Sequence, residues 1–240
     1  MLYGELALIS ALAWLYLVRM PMTPQDLGGF GARILSALPP QLADLSLVFM
    51  MWGVMMVAMM LPSAAPMVLA YARIASARGR NPTLRVWLFA FGYLAIWTLF
   101  SAAATMIQFA LARSSMLSNA LVTTPLVSTA ILVVAGIYQL TPLKEACLGR
   151  CQSPIGFFMT HWRDGAAGAL RMGLSHGAFC VGCCWMLMAL LFVAGVMNLA
   201  WVAAITIFVL LEKATRWGRA IANVSGVALI ACAVVIAFRR

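Results

Sequence analysis

From Met172 to Met188 the chain reads Met-Gly-Leu-Ser-His-Gly-Ala-Phe-Cys-Val-Gly-Cys-Cys-Trp-Met-Leu-Met. The run lies within residues 172–194, a segment apolar enough to cross a bilayer. A helix turning 100° per residue places Met172, His176, Cys180, Cys183 and Cys184 within an arc of about 120°. One face of a predicted membrane helix therefore carries an imidazole, three thiols and a thioether. Polar and ionisable groups in hydrocarbon are costly, and the usual reasons for keeping them there are a metal or a redox reaction.

The remaining composition agrees with a membrane setting. Of the 240 residues, 65% are hydrophobic and 9% charged, and the mean hydropathy is +1.00, which leaves too little polar surface to cover a water-soluble globule. The sequence predicts an all-α, polytopic transmembrane helical bundle forming one domain over residues 1–240. About seven spans (six to seven) are expected, at residues 3–18, 45–71, 86–111, 121–140, 172–194, 199–211 and 220–238, of which the first and sixth are short. The first span has no basic leader, carries Glu5 and is followed by Arg19-Met-Pro rather than a small-residue cleavage site. It reads as a retained helix and not as a signal peptide.

The net charge of +10 does not point to nucleic acid, because the sixteen basic residues stand in short clusters between apolar spans. Their partner is the lipid bilayer. Placing the 2–3, 4–5 and 6–7 connections in the cytoplasm collects Arg73, Arg78, Arg80, Arg85, Lys144, Arg150, Arg163, Arg171, Lys213, Arg216 and Arg219 there. Arg19, Arg33, Arg113, Arg239 and Arg240 then lie outside, so the positive-inside rule predicts a cytoplasmic N-terminus and an external C-terminus. Of the six cysteines, Cys147 and Cys151 fall on the cytoplasmic 4–5 connection, Cys180, Cys183 and Cys184 in the fifth span, and Cys232 in the last. None falls in an external loop, so no disulfide-stapled exterior is indicated and the thiols read as ligands or buried filler.

The second span runs Phe-Met-Met-Trp-Gly-Val-Met-Met-Val-Ala-Met-Met-Leu-Pro-Ser from Phe49 to Ser63. Met51, Met55 and Met59 form one helical stripe, and Met56, Met60 and Met67 a second that points elsewhere. Pro62 and Pro66 remove backbone donors, so a kink is expected, with carbonyls in need of partners. Flexible methionine is a good packing residue, and taken alone the stripes read as packing. Read with the cysteine face, they read as soft donors: thiolate and thioether select Cu(I), whereas carboxylate-rich sites suit harder ions, and this chain has six carboxylates. Residues i and i+4 stand about 6 Å apart along a helix, so His176 with Cys180, or Cys180 with Cys184, can clamp one ion. His176 and Cys184 are about 12 Å apart, so distal ligands must come from another helix or there are two sites.

These stretches belong to a larger set: Tyr138-Gln-Leu-Thr-Pro-Leu-Lys144 followed by Cys147 and Cys151, then His161-Trp-Arg, then His176-Gly, Cys180-Val-Gly-Cys-Cys-Trp185 and Gly195-Val-Met-Asn198. From about residue 49 to residue 213 the chain resembles a bacterial family of integral membrane proteins predicted to bind metal. The resemblance implies a bacterial membrane and a metal, and does not imply a reaction.

A second constellation stands on the cytoplasmic side. Cys147 and Cys151 are i and i+4 if Pro142 begins a short helix, and His161 follows ten residues later, after Pro154 and Gly156. The three form a possible second metal site, a landing place for an ion on its way to the intramembrane cysteines, or only an aromatic and basic membrane boundary. Elsewhere, Glu212 and Lys213 are expected to neutralise each other at a helix end, Asp44 to cap the second span, and Gln108, Thr105 and Asn198 to hydrogen-bond between helices. There is no Walker loop, dinucleotide fingerprint, nucleophile elbow or zincin motif.

Three function classes follow. The first is a protein of the bacterial inner membrane that holds copper as Cu(I), with zinc the alternative, for storage, delivery or insertion into a metal-receiving membrane or periplasmic protein. Its ligands would be Cys180, Cys183 and Cys184, with His176 and Met172 flanking and Met51, Met55 and Met59 as a soft relay. The second is a metalloenzyme or redox subunit acting on a lipid-soluble substrate. The third is a thiol oxidoreductase exchanging Cys180 with Cys183, which the lack of an external cysteine pair argues against.

Overall fold

The computed structural model describes residues 2–19, 40–78, 82–117 and 122–238, and within them the chain is helical. The helices are α1 (Leu2–Arg19), α2 (Pro40–Arg78), α3 (Pro82–Arg113), α4 (Pro125–Gln139), α5 (Pro142–Gln152), α6 (Pro154–His161), α7 (Gly165–Ala189), α8 (Leu191–Ala194), α9 (Leu199–Ala214) and α10 (Gly218–Phe238). Proline opens α4, α5 and α6, where the missing N–H would have no partner anyway. The hydroxyls of Thr141 and Ser153 cap α5 and α6 by accepting from the amides of Lys144 and Gly156. Asn198 caps α9 through the Trp201 amide rather than bonding to another helix. Asp44 lies inside α2, which begins at Pro40, so it is not the expected cap.

Among the described residues four helices are long and apolar enough to cross a membrane: Asp44–Arg78 of α2, α3, α7 continued through α8, and α10. The α4–α5 pair, bent by 65°, makes a fifth if it is one span. The helical membrane-capable character is as expected, but the described residues supply four to five such helices rather than about seven. The sixth expected span is α9, whose 16 residues reach only about 24 Å against a hydrocarbon thickness of about 30 Å. The first, α1 with 18 residues, reaches about 27 Å. Residue 121 of the expected fourth span, and Arg33, Arg80, Arg239 and Arg240 of the charge count, lie outside the described residues.

Helix α2 runs through both Pro62 and Pro66. A proline at position 62 cannot donate to the carbonyl of Ala58, four residues earlier. That carbonyl accepts instead from the indole Nε1 of Trp14 on α1, at 3.1 Å. The freed backbone group thus becomes a docking point between two helices. Deeper in α2, Trp52 Nε1 donates to Gln108 Oε1 of α3 at 2.7 Å, the interhelical bond expected for Gln108. Thr105 instead bonds the Ser101 carbonyl of its own helix.

Helices α3 and α7 meet backbone to backbone. A Cβ on Gly92 would lie 2.6 Å from the Leu170 carbonyl oxygen, and one on Gly173 would run into the Phe89 carbonyl. Glycine at both places is what permits this approach, as in other close membrane-helix pairs. The contact sets the rotation of α7, turning His176 toward Phe89 and Tyr93 and Cys180 toward Tyr93. Gly173→Ala should therefore destabilise the fold by about 1–3 kcal/mol and loosen the thiol site with it. Thermal unfolding in detergent should show the loss, whereas Gly53→Ala, where an added Cβ meets nothing within 4 Å, should leave the midpoint unchanged or raised.

Candidate metal centre

The second half of α7 carries the cysteines inward. Cys180, Cys183 and Cys184 are all buried, packed in one apolar cluster with methionines of α2. Cys183 Sγ lies 3.2 Å from Cys184 Sγ and 3.9 Å from Cys151 Sγ of α5, and it also reaches the Cys180 carbonyl at 3.2 Å. The Cys180 thiol interacts in turn with those of Cys151, Cys183 and Cys184. Four sulfurs from two helices thus form a single group.

A cation and a phenol complete the group. Lys213 Nζ of α9 stands 2.9 Å from Cys180 Sγ and 3.1 Å from Ser63 Oγ. The Tyr93 hydroxyl lies 3.2 Å from the same sulfur and 3.0 Å from the Met60 carbonyl. A hydroxyl has one proton, so Tyr93 either donates to Met60 and accepts from a Cys180 thiol, or turns its proton toward a Cys180 thiolate. The ammonium supplies counter-charge to a thiolate, the form of cysteine that binds metal.

The pairing expected between Glu212 and Lys213 does not occur. Successive residues on a helix point about 100° apart and do not face each other. Glu212 instead takes the Lys144 ammonium of α5 on both carboxylate oxygens at 2.9 Å, with Gln139 Nε2 adding a bond at 3.3 Å. Both members of this ion pair are 1% exposed. It holds α5 against α9 and leaves Lys213 free to face the sulfurs. The roles of Lys213, Tyr93 and Ser63 were not read from the sequence, because each is a lone residue on a different helix.

The proposed Cys147, Cys151 and His161 set is divided. Cys151 joins the main thiol group. Cys147 Sγ sits in the notch at Gly182, 2.9 Å from where a Cβ would stand. His161, at the end of the separately capped α6, stacks on Phe157 at 4.9 Å. Its ring nitrogens are engaged, Nδ1 by Thr160 Oγ1 at 2.7 Å and Nε2 by Arg150 Nη1 at 3.1 Å. It does not complete a site with the two cysteines.

The predicted face of α7 is divided as well. His176, 3% exposed, lies in an aromatic group, its ring 5.4 Å from that of Tyr93, 6.1 Å from Phe89 and 5.6 Å from Phe157. Its Nδ1 has no hydrogen-bond partner among the described residues. Met172 packs with Met67, Tyr71, Phe89, Phe157 and Phe158 and not with the cysteines. Both methionine stripes of α2 are buried. Met51, Met55 and Met59, but also Met56 and Met60, share the cluster of the cysteines, and Met67 alone of the six lies with the aromatic group. The expected contrast between the stripes is therefore a contrast along the helix rather than around it.

Among the described residues no three His, Cys, Asp or Glu side chains stand ready around one ion position. The sulfurs instead bond to one another, and the fit is best tested pairwise. Two thiolates sharing a trigonal or tetrahedral ion at about 2.3 Å lie about 3.8–4.0 Å apart. Cys151 and Cys183, at 3.9 Å, meet that spacing, and Cys183 with Cys184, at 3.2 Å, do not.

A model of the family described as "PpoB2: Copper chaperone" matches residues 49–236. The chain belongs to the PpoB2 copper chaperone family. The match begins at the methionine run of α2 and reaches α10, so every cysteine, Tyr93 and Lys213 of this PpoB2 chain lie within it. No curated protein and no solved structure matches the chain.

The buried pair that braces the site has a measurable signature. Lys144→Met leaves the buried Glu212 without its counter-charge, with only the Gln139 bond remaining, and should lower stability by about 3–5 kcal/mol. The double change Lys144→Met with Glu212→Leu should regain most of that loss. Thermal unfolding of the three proteins in detergent checks this, and equal loss in the single and double variants would contradict it.

Proposed function

We propose that this protein is an inner-membrane copper chaperone whose cargo, Cu(I), is carried on thiolates of Cys151, Cys180, Cys183 and Cys184. One observation carries the reading: cysteine sulfurs from α5 and α7 converge in a buried group, in a chain of a copper chaperone family. Thiolates are the soft ligands Cu(I) prefers, and the thioethers packed around them are of the same kind. The methionines of α2 form the route by which the ion reaches or leaves the thiolates, and a metal-receiving membrane or periplasmic protein accepts it. The N-terminus is assigned to the cytoplasm and the C-terminus to the outside. Zinc is the second cargo, since thiolates bind it too.

A second reading rests on the 3.9 Å separation of Cys151 and Cys183. That pair, rather than Cys180 with Cys183, is the one placed for thiol exchange. A disulfide between them trapped by rapid alkylation in cells, with function lost on changing either residue, would favour the oxidoreductase.

Replacing Cys180, Cys183 and Cys184 together by serine should abolish stoichiometric copper in the purified protein while leaving it folded. Cys151→Ser should weaken binding, whereas His161→Ala and Cys147→Ser should not. His176→Ala, beside the aromatic group, should reduce copper less than the triple cysteine change. Metal analysis of the purified variants reads these outcomes, and equal copper in wild type and the triple variant would refute the site.

The methionines give a separate test. Changing Met51, Met55 and Met59 to leucine keeps volume and hydrophobicity, so stability should move by less than about 1.5 kcal/mol while the rate of copper loading falls. Met67→Leu, beside the aromatic group, serves as control and should load like wild type. Unchanged loading in the triple leucine variant would make the stripe packing alone.

A further inference from the structure

Lys213 is half-buried at the end of α9, and its ammonium contacts Cys180 Sγ at 2.9 Å and Ser63 Oγ at 3.1 Å. No carboxylate pairs with it among the described residues, because Glu212 on its own helix is turned to Lys144 of α5. The other groups around it are Cys183, Cys184 and His176 of α7, Cys151 of α5 and Tyr93 of α3. One ammonium therefore stands against a cluster whose ionisable members are thiols, a phenol and an imidazole.

We propose that Lys213 is a specificity-determining residue that sets the charge of the ion the cluster accepts, favouring a monovalent soft cation over a divalent one. This rests on the reading of the cluster as a metal site. A Cu(I) ion on Cys180 and one further thiolate, with the other cysteines as neutral thiols, carries a net charge of −1, and the ammonium in contact with Cys180 brings the assembly to zero. Zinc on the same two thiolates is already neutral, and the ammonium leaves it at +1. Net charge is costly where water is excluded, so the same residue that stabilises the copper complex penalises the zinc complex. Zinc recovers neutrality only by taking a third thiolate. The remaining close pair, Cys183 and Cys184 at 3.2 Å, is tighter than the spacing of about 3.8 Å required of two ligands on one tetrahedral ion, so a third ligand costs rearrangement. Cys180 can take both partners, since a thiolate sulfur has lone pairs for the ammonium and for the metal.

The test compares wild type, Lys213→Met, Lys213→Arg and Ser63→Asp, purified in detergent and titrated anaerobically with Cu(I) and separately with Zn(II) against chromophoric chelators. Removing the charge in Lys213→Met should lower Cu(I) affinity and raise Zn(II) affinity, moving their ratio by about tenfold or more. Lys213→Arg keeps the charge and should keep the ratio. Ser63→Asp neutralises Lys213 in place and should shift the ratio in the same direction as Lys213→Met, which decides the matter even if the methionine variant does not fold. A fall in both affinities together, or an unchanged ratio in Lys213→Met and Ser63→Asp, would overturn the proposal. Wild-type protein that binds no Cu(I) would instead overturn the chaperone site itself.

Discussion

The ion pair between Lys144 and Glu212 fixes two rotations at once, because both groups are buried and neither tolerates the loss of the other. With Glu212 turned to α5, the next residue of α9 must point about 100° away, and that direction brings Lys213 onto Cys180. With Lys144 held on α9, the same short helix presents Cys147 and Cys151 to α7, one at Gly182 and the other at Cys183. The bend after α4 makes this possible, since Thr141 and Pro142 start α5 afresh at 65° to the preceding helix. The thiol group is in this sense assembled by an ion pair that contains none of its members.

Helix α7 is divided along its length by what packs on it. Its first half, with glycines at 173 and 177, lies against the backbone of α3 and offers His176 and Met172 to an aromatic group. Its second half offers three cysteines to α5, α2 and the end of α9. Tyr93 spans the two, its ring against His176 and its hydroxyl on Cys180. A change in the protonation or ligation of Cys180 is thus in direct contact with the hydroxyl that also holds the Met60 carbonyl of the methionine helix.

The copper-carrying role we propose requires an ion held without being held permanently, and the thiol group has features that suit that demand. Cys180, Cys183 and Cys184 are shielded from water by apolar side chains, and Cys151 is half-buried beside them, which limits oxidation of the group by soluble agents. The sulfurs are close enough to bond one another.

Much of this was legible in the sequence. A period of 3.6 residues is a property of one helix, so the inward face of Cys180, Cys183 and Cys184, the burial of the methionines and the helix beginning at Pro142 follow from spacing alone. The apolar runs also identified the long helices α2, α3, α7 and α10. Spacing does not say which helices touch. It left Cys151 and His161 equivalent, whereas the caps at Thr141 and Ser153 send one to the thiols and the other to Phe157. It paired Glu212 with Lys213 as sequence neighbours, whereas their angular separation on α9 gives them different partners. Neighbours along a helix are set by covalent geometry, but neighbours across helices are set by glycine contacts, broken spans and buried charge pairs that exist only after the chain has packed.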